Sequence, residues 1–414
     1  MDVRATIDQV VRASYGRLVA FLAARSRDVA GAEDALAAAF QAALVTWPKT
    51  GVPEKPEAWL LVTARRRLID AARHARVHAE AAPSLLAAAA EAQEMTEGEL
   101  EFPDERLKLL FVCAHPAIDP NVHTPLMLQT VLGLDAARIA AAFLVQPSAM
   151  GQRLTRAKVK IRDARVAFEL PCAAELPQRL DAVLGAIYAA YGTGWEDVKG
   201  ADRRHDSLAA EAIALGRLLL QMMPHEPEVK GLLALMLHCA ARCAARRSAD
   251  GGYVPLTEQD TALWSRPLIV EAEQLLWAAE RAGRIGRYQL EGAIQSAHAE
   301  RAWTGRTDWE AIALLYEGLV SHAPGIGALV GRAAAVAEAR DATTAWSLLQ
   351  KMVPAEAVAS YQPYWALAAH LLKRMGQTTQ SADAYRRAIG LSEDPALRAF
   401  LTAQMPAMPR GELK

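Results

Sequence analysis

Apolar residues recur at helical spacing along most of the chain. The segment GAEDALAAAFQAALVTW repeats them every three or four positions, at Ala32, Leu36, Phe40, Ala43, Leu44 and Trp47. This spacing places them on one face of an α-helix. The alternation of apolar and polar residues that is typical of strands is almost absent. The sequence therefore predicts an all-α fold, in which clusters of proline and glycine separate the helices.

The composition agrees with a helical protein of several domains. The chain has 414 residues, of which 52% are hydrophobic and only 6% aromatic, and its length predicts roughly two to four domains. No stretch reaches the ~20 uninterrupted apolar residues of a membrane span, and the first residues lack the pattern of a signal peptide. The four cysteines are too few and too scattered for a disulfide framework. We therefore expect a cytoplasmic protein with no membrane association.

The net charge of −1 hides a strong segregation of charge along the chain. Residues 1–78 carry 12 basic and 8 acidic side chains, and residues 106–168 carry 9 basic and 3 acidic ones. Between these two basic blocks, residues 79–105 carry 8 acidic and no basic side chains. Basic blocks favour a polyanion as partner, because each neutralised phosphate releases counterions. Solvated helix faces produce the same charge pattern, so the choice depends on motifs.

The first basic block ends in an arginine-rich helix. Prolines interrupt the chain in WPKTGVPEKPEAW, and helical spacing then resumes in AWLLVTARRRLIDAARHARVHA, which begins near Trp59. The basic face of this helix is wide enough to lie along a phosphate backbone, and it consists of Arg65, Arg66, Arg67, Arg73 and Arg76. A solvated face would have a similar composition.

The second basic block contains two short helices joined by a tight turn. Asp135 is suited to cap the first helix, while Gln146 and Pro147 occupy the cap and first positions of the second. The second helix turns Met150, Leu154, Ala157 and Ile161 inward, and Arg153, Arg156, Lys158, Lys160 and Arg162 outward. This pattern is typical of a helix-turn-helix, whose second helix reads base edges in the major groove. Any helical hairpin could mimic the apolar part of the pattern.

Together the two blocks resemble an extracytoplasmic-function sigma factor, a promoter-specificity subunit of bacterial RNA polymerase. The segment from YGRLVAFL to LIDAARH resembles region two of that family, and LMLQTVLGLDAARIAAAFLVQPSAMGQRLTRAKVKIRDA resembles region four. FPDERLKLLFVCAHPAI, PEVKGLLALMLHCAAR and YQLEGAIQSAHAE resemble a subgroup with a long helical C-terminal extension. The expected domains are region two at 1–78, an acidic linker at 79–105, region four at 106–168, a helical extension at 172–285 and a tetratricopeptide-like region at 286–414.

The resemblance implies core RNA polymerase and promoter DNA as partners. The helix at 28–47 would engage the polymerase through Asp28, Glu33, Asp34 and Gln41. The helix at 58–78 would read and melt the proximal promoter element through Trp59, Arg65, Arg66, Arg67, Arg73 and Arg76. Region four would read the distal element as duplex through Ser148, Ala149, Gln152, Arg153, Arg156, Lys158 and Lys160. The acidic linker would thread the polymerase cleft.

The C-terminal half contains amphipathic helices without a catalytic constellation. Ser381, Tyr385 and Ala388 match the second helix of a tetratricopeptide repeat. Cys239 and Cys243 lack the further ligands that a metal site needs, and we interpret them as small core residues. The sequence carries no P-loop, dinucleotide glycine pattern, nucleophile elbow or HExxH. We therefore expect no enzyme activity, no metal and no cofactor.

The favoured interpretation is a sigma factor whose fused C-terminal domain inhibits or assists it, in response to a regulatory protein or a ligand. One alternative is a stand-alone helix-turn-helix regulator with a repeat-type sensor domain, which would bind duplex DNA without polymerase. The helix around Trp59 and its arginines argues against it, because a duplex-only binder does not need that helix. A second alternative is a scaffold whose sigma-like half has lost activity. Gly151, which costs about 1 kcal/mol of helix propensity relative to alanine, favours that second alternative.

Overall fold

The fold was analysed in a computed structural model, which describes residues 3–77, 104–143, 145–172, 174–195, 203–351 and 358–406. Within these ranges the regular elements are helices and no strand occurs, apart from one isolated antiparallel bridge between Arg247 and Tyr253. The predicted all-α fold is confirmed. The chain packs as two compact units: the described residues up to 195 together with 203–218, and those from 219 onward.

The first unit begins with three long helices, α1 (Val3–Ser26), α2 (Val29–Thr50) and α3 (Pro56–Val77). Asp28 starts α2, because its carboxylate accepts a hydrogen bond from the Gly31 amide at 3.1 Å. The helices pack against one another around a shared core that includes Leu18, Phe21, Leu36, Trp47 and Leu60. Ser14 of α1 donates a hydrogen bond to Glu57 of α3, which fixes the two helices together.

Among the described helices, α2 meets the length and composition of a membrane-crossing helix. Glu33 and Asp34 interrupt its apolar sequence. Val29, Ala32 and Leu36 are completely buried. One helix of this kind does not establish a membrane span, because the core helix of a soluble protein meets the same criteria.

Four shorter helices follow in the same unit: α4 (Arg106–Cys113), α5 (Pro120–Thr130), α6 (Ala136–Ala142) and α7 (Pro147–Asp163). The Asp135 carboxylate accepts a hydrogen bond from the Arg138 amide at 2.9 Å and so caps α6. Gln146 stands at the cap position of α7 without a capping side-chain bond, and Pro147 takes the first position. The predicted pair of short helices with a tight turn is therefore confirmed, with the predicted cap positions.

Helices α8 (Leu176–Trp195) and α9 (Arg203–Met222) complete the first unit, to which α9 belongs as far as Leu218. The Arg106 guanidinium joins α4 to α9. Its Nε donates to Asp104 Oδ1 at 2.8 Å, and it also pairs with Glu211 of α9. Burial alone would raise the pKa of Asp104, but the hydrogen bonds and charge of Arg106 hold it below its ordinary value. The domain limits expected from the sequence stay predictions. In the structure, α8 and most of α9 pack in the same unit as the preceding helices.

The second unit is a succession of helices that pack mainly on their neighbours along the chain. They are α10 (Pro227–Ala241), α11 (Arg266–Glu280), α12 (Arg287–Ala299), α13 (Arg301–Thr304), α14 (Trp309–His322), α15 (Ile326–Ala339), α16 (Ala342–Gln350), α17 (Gln362–Arg374), α18 (Thr378–Gly390) and α19 (Pro395–Gln404). Gly376, with φ +75°, ends α17 and turns the chain into α18. Ser381, Tyr385 and Ala388 are buried as their helical pattern predicts, and Ser381 Oγ donates to the Ala369 carbonyl at 2.8 Å.

Glu228 of α10 caps a different helix, α12. Its Oε2 accepts a hydrogen bond from the Tyr288 amide at 2.9 Å, and its Oε1 accepts one from the Gln289 amide at 3.1 Å. A Cβ at Gly231 would lie 2.5 Å from the Gln289 nitrogen, so only glycine permits this approach. The start of α12 thus depends on a carboxylate some 60 residues earlier in the chain.

In the second unit His238 is buried and His298 is half-buried. Burial, with a contribution from the charge of Arg242, lowers the pKa of His238 to about 3 and that of His298 to about 4. Both rings are therefore neutral at pH 7. In the described part of the chain, no group of three or more His, Cys, Asp or Glu side chains could hold a metal ion.

The core interpretation of Cys243 is wrong, because its side chain is exposed. Helix α10 ends at Ala241, and Cys243 begins a short 3-10 turn, Cys243–Ala245. The helical register that would align Cys243 with Cys239 is therefore not continued. Cys239 itself is half-buried.

Candidate nucleic-acid interface

Helix α7 presents one apolar and one basic face. Met150, Leu154, Ala157 and Ile161 are buried, as predicted. Ala149 is half-buried, and the side chains that point to solvent are Ser148, Gln152, Arg153, Arg156, Lys160 and Arg162. The buried stripe fixes the rotation of the helix, so Arg153, Arg156 and Lys160 share one exposed face, and Arg162 lies on another side of the helix.

A groove of about 930 Å³ separates the exposed face of α7 from the start of α5. Its basic wall consists of Arg153, Arg156 and Lys160, and Phe143 contributes an exposed aromatic surface. The opposite wall carries Asp119, Asn121 and Thr124. Three cations along one wall suit a polyanion. The sequence analysis did not identify the α5 side of this groove. The segment Asp119–Asn121, which has the residues of a helix start, was the signal that could have identified it.

Lys158 requires a correction, because it does not lie on the exposed face of α7. Its side chain is only 10% exposed and forms an ion pair with Glu33 of α2. Position 158 borders the apolar stripe next to Ala157, and α2 packs against that border. In this arrangement Lys158 does not reach DNA, and Glu33 does not face an external partner.

Helix α3 carries the second basic surface. Arg66 and Arg67 are exposed, and Arg65 is half-buried. Burial, together with the nearby charge of Arg25, lowers the pKa of Arg65. The guanidinium of Arg25 lies 3.6 Å from the centroid of the Phe21 ring. The side chains of Arg73 and Arg76 lie outside the described residues.

Arg25 is a basic residue near this surface that sequence reasoning missed. The sequence feature that could have identified it was the pair of arginines at 25 and 27, close to the end of α1. Two guanidinium groups close enough to lower a pKa raise the local positive potential, which favours an anion.

Trp59 serves partly as a core residue. Its ring packs edge-on against Trp47, with centroids 5.4 Å apart and an interplanar angle of 66°. Trp47 is 1% exposed, whereas Trp59 is half-buried. Stacking of Trp59 on a nucleic-acid base therefore stays a prediction for the part of the ring that is exposed.

The four residues predicted to contact polymerase have different positions on α2. Asp28 is half-buried and caps the helix, and Glu33 faces Lys158. Asp34 and Gln41 are exposed. The set therefore does not form a single surface.

The exposed face of α2 also includes apolar side chains. Leu44 is 46% exposed and Val45 is 63% exposed. The inward orientation expected for Leu44 is wrong, since its spacing from Asp34 and Gln41 puts it on the same helical face as they occupy. An exposed face with large apolar and polar residues suits a protein partner.

Residues 10–77, which span most of α1 and all of α2 and α3, match the family Sigma-70 region 2. Residues 179–280 match a Family of unknown function (DUF6596). The chain belongs to the same family as the uncharacterized protein R00370 of Rhizobium meliloti (strain 1021), to which it is 36% identical over 378 residues. That similarity covers 90% of this chain and 89% of the relative. No solved structure matches the chain.

Proposed function

We propose that the protein is a sigma factor of the extracytoplasmic-function subgroup. It binds core RNA polymerase and directs promoter-specific initiation, and its C-terminal part is a fused regulatory domain. The observation that carries this proposal is the match of residues 10–77 to sigma-70 region 2, a region that implies polymerase binding. The sigma factor family is not enzymatic, and a sigma factor acts in the cytoplasm.

Region two, residues 1–78, acts on the proximal promoter element. Arg66 and Arg67 supply exposed cations on α3, with Arg25 and Arg65 beside them. Melted bases need cationic and stacking partners. Trp59, Arg73 and Arg76 complete the set in this proposal.

Region four, residues 106–168, reads the distal element as duplex DNA. Its contacts come from the exposed face of α7, with Ser148, Ala149, Gln152, Arg153, Arg156 and Lys160. A helix that enters the major groove presents its N-terminal residues to base edges, and arginines suit guanine or phosphate. The groove against the start of α5 supports this orientation, because its basic wall consists of three of these residues.

Polymerase binds the exposed face of α2 in this proposal. Asp34 and Gln41 provide polar contacts, and Leu44 and Val45 provide apolar area. The acidic segment at 79–105 occupies the polymerase cleft during initiation. In this proposal a regulatory protein or ligand acts on the C-terminal domain, which is a tetratricopeptide-like extension.

Co-elution of the full-length protein with bacterial core RNA polymerase, followed by run-off transcription, tests the proposal. We expect stable co-elution and transcripts that start at specific promoters. Co-elution without promoter-specific transcripts would leave a polymerase-binding protein that is not a working sigma factor. Arg153→Ala with Arg156→Ala should abolish promoter selection without loss of co-elution.

The alternative is a stand-alone helix-turn-helix regulator with a repeat-type sensor domain. The exposed basic face of α7 is the observation that favours it, because Arg153, Arg156 and Lys160 on that face need no contribution from polymerase. This alternative predicts specific duplex binding by the isolated protein and no co-elution with polymerase.

A further inference from the structure

A groove of about 550 Å³ lies between α16, α17 and α18 in the second unit. Its volume is within the range of small-molecule sites, about 300–1,000 Å³. The groove has an apolar part, because Ala368, Leu372 and Ala384 line it and are at most 4% exposed. None of the residues proposed to bind DNA or polymerase lines this groove, so it needs an explanation of its own.

Three aromatic side chains line the groove: Trp346 of α16, and Tyr364 and Trp365 of α17. The rings of Tyr364 and Trp365 meet edge-on, with centroids 5.2 Å apart and an interplanar angle of 84°. The Trp365 Nε1 also donates a hydrogen bond to the Ala359 carbonyl at 3.2 Å. Rings held in this way offer flat apolar surface on which a planar ligand can stack.

One cation that lines the groove has no acidic partner. The Arg387 guanidinium lies over the Trp365 ring, 4.4 Å from its centroid, and in the described part of the chain no carboxylate pairs with it. The neighbouring Arg386 is different, because it forms an ion pair with Asp383, which also lines the groove. The charges of Arg386 and Asp383 therefore offset each other, and the charge of Arg387 is left for a ligand.

The Arg387 guanidinium suits a carboxylate. Stacking on Trp365 occupies one face of the guanidinium and leaves the N–H groups at its edge able to donate a pair of hydrogen bonds. One uncompensated positive charge matches a carboxylate better than a phosphate monoester, which carries about −1.5 to −2 at pH 7. Burial raises the pKa of Tyr364 above its ordinary value, so its hydroxyl is protonated and gives the groove a further donor.

The polar groups of the groove favour a small ligand over an extended peptide. A peptide presents an N–H and a C=O group at almost every residue, and those that become buried need partners. Among the side chains that line the groove, Gln380 offers an amide, but the Asp383 carboxylate is engaged by Arg386. One amide can pair with only a short stretch of backbone.

We propose that this groove binds a small aromatic monocarboxylate. The ring of the ligand stacks among Trp346, Tyr364 and Trp365, and its carboxylate pairs with Arg387. This inference deepens the proposed function and rests on it for the role of the ligand, because a fused regulatory domain needs a signal to which it responds. The binding itself depends only on the groove.

Isothermal titration calorimetry of the full-length protein with 3-phenylpropionate tests the groove directly. We expect a dissociation constant of about 0.1–1 mM, which is usual for a ligand of this size. The uncharged amide, 3-phenylpropionamide, keeps the ring but lacks the charge, so it should bind about tenfold or more weakly. Absence of binding by the acid, or equal binding of the acid and the amide, would overturn the proposal.

Arg387→Gln removes the charge from an exposed side chain and should leave the melting temperature nearly unchanged. The affinity for the acid should fall about tenfold or more, while the affinity for the amide should change less than about twofold. Arg398→Gln is the matched control, because Arg398 is an exposed arginine on α19 that does not line the groove. An equal loss of affinity in the two variants would reduce the effect to general charge attraction and would overturn the pairing with Arg387.

Trp346→Leu tests the stacking of the ligand ring. It removes one ring and keeps the contact between Arg387 and Trp365, so the acid and the amide should lose affinity by the same factor, about three- to tenfold. Trp346→Phe keeps a ring and should recover most of the affinity. Unchanged affinity in Trp346→Leu would contradict the stacked position.

The peptide N-acetyl-Ala-Ala-Phe separates two sources of an aromatic carboxylate, because its terminal residue carries the same ring and charge. Binding about tenfold or more tightly than 3-phenylpropionate would identify a peptide site and overturn the small ligand. These titrations contain no polymerase or DNA, so they decide the ligand site even if co-elution fails and the proposed function is wrong. Co-elution without binding of 3-phenylpropionate would leave the proposed function in place and overturn the ligand site.

Discussion

The two units use their charged side chains in different ways. The first unit exposes cations on helical faces, as at Arg66, Arg67, Arg153, Arg156 and Lys160. In the second unit the charged groups with defined partners include three that stabilise its own structure: Arg247 pairs with Asp394 at 2.5 Å, Arg374 pairs with Glu338 at 2.6 Å, and Glu228 caps α12. The first unit has such pairs too, as at Arg106 and Lys158, so the comparison concerns its exposed cations.

This difference separates charge for recognition from charge for folding. Exposed cations on one helix face add little to stability, whereas they strengthen binding to a polyanion. The half-buried carboxylate of Glu228, which accepts two amide hydrogen bonds, contributes to stability and not to recognition. Substitutions in the two units should therefore affect different measurements.

The largest effect is expected from Arg153→Ala with Arg156→Ala in the first unit. Loss of two cationic contacts should weaken binding of promoter DNA by the complex with core RNA polymerase by about 100-fold or more. The slope of log K against log salt concentration should become shallower by about two, because two fewer phosphates are neutralised. Fluorescence anisotropy at several salt concentrations measures both. Thermal stability should barely change.

Arg162→Ala is the matched control for that pair. Arg162 is exposed on the same helix but lies near its end and pairs with Asp163 at 3.2 Å. It should weaken DNA binding only slightly. An equal loss for Arg162→Ala would mean that general charge, rather than the face towards the groove, determines binding.

The next effect is expected from Glu228→Ala in the second unit. The Tyr288 and Gln289 amides lose their acceptor, which should lower the free energy of unfolding by about 2 to 3 kcal/mol. Urea denaturation of the full-length protein measures the loss, and hydrogen exchange should locate it at the start of α12. Glu258→Ala, in a nearby exposed turn, is the control and should have almost no effect. Equal stability of Glu228→Ala and the unsubstituted protein would contradict the role of the cap.

A smaller effect concerns pH and His298. The fold lowers the pKa of His298 to about 4, whereas an unfolded histidine titrates near pH 6.5. Its contribution to stability is therefore complete above about pH 6.5 and is lost progressively as the pH falls towards 4. The cost at pH 5 is up to about 2 kcal/mol relative to pH 8.

His298→Phe keeps an aromatic ring against Trp309, which now contacts His298 with centroids 5.3 Å apart. The melting temperature of this variant should fall less between pH 8 and pH 5 than that of the unsubstituted protein. His322→Phe, an exposed histidine on α14, is the control and should not change the slope. Parallel pH profiles for His298→Phe and the unsubstituted protein would show that His298 does not become protonated on unfolding in this range.

Local sequence features predicted the two short helices α6 and α7 and their cap positions well. Asp135, Pro147 and the stripe from Met150 to Ile161 lie within one short segment, so spacing and capping rules determine the helices and their rotation. The match to sigma-70 region 2 agrees with the resemblance of the N-terminal segment.

Features that depend on distant neighbours were not predictable in this way. Lys158 lies at the edge of the apolar stripe, and only the packing of α2 makes it a buried partner of Glu33. Leu44 was expected to face the core because it is apolar and lies at helical spacing from other apolar residues. In the structure it is exposed on the same side of α2 as Gln41. The contact between Glu228 and the start of α12 joins residues far apart in the sequence, so no local pattern revealed it.

The cap on α12 has a consequence for where the chain can be divided. The segment similar to the family of unknown function runs from 179 to 280, yet Glu228 within it completes a helix that begins at Arg287. A cut after residue 280 would leave that carboxylate without its two amide donors on one fragment, and the amides without their acceptor on the other. The two fragments should therefore regain stability when mixed, as halves of one cooperative folding unit whose border lies well beyond the limit of sequence similarity.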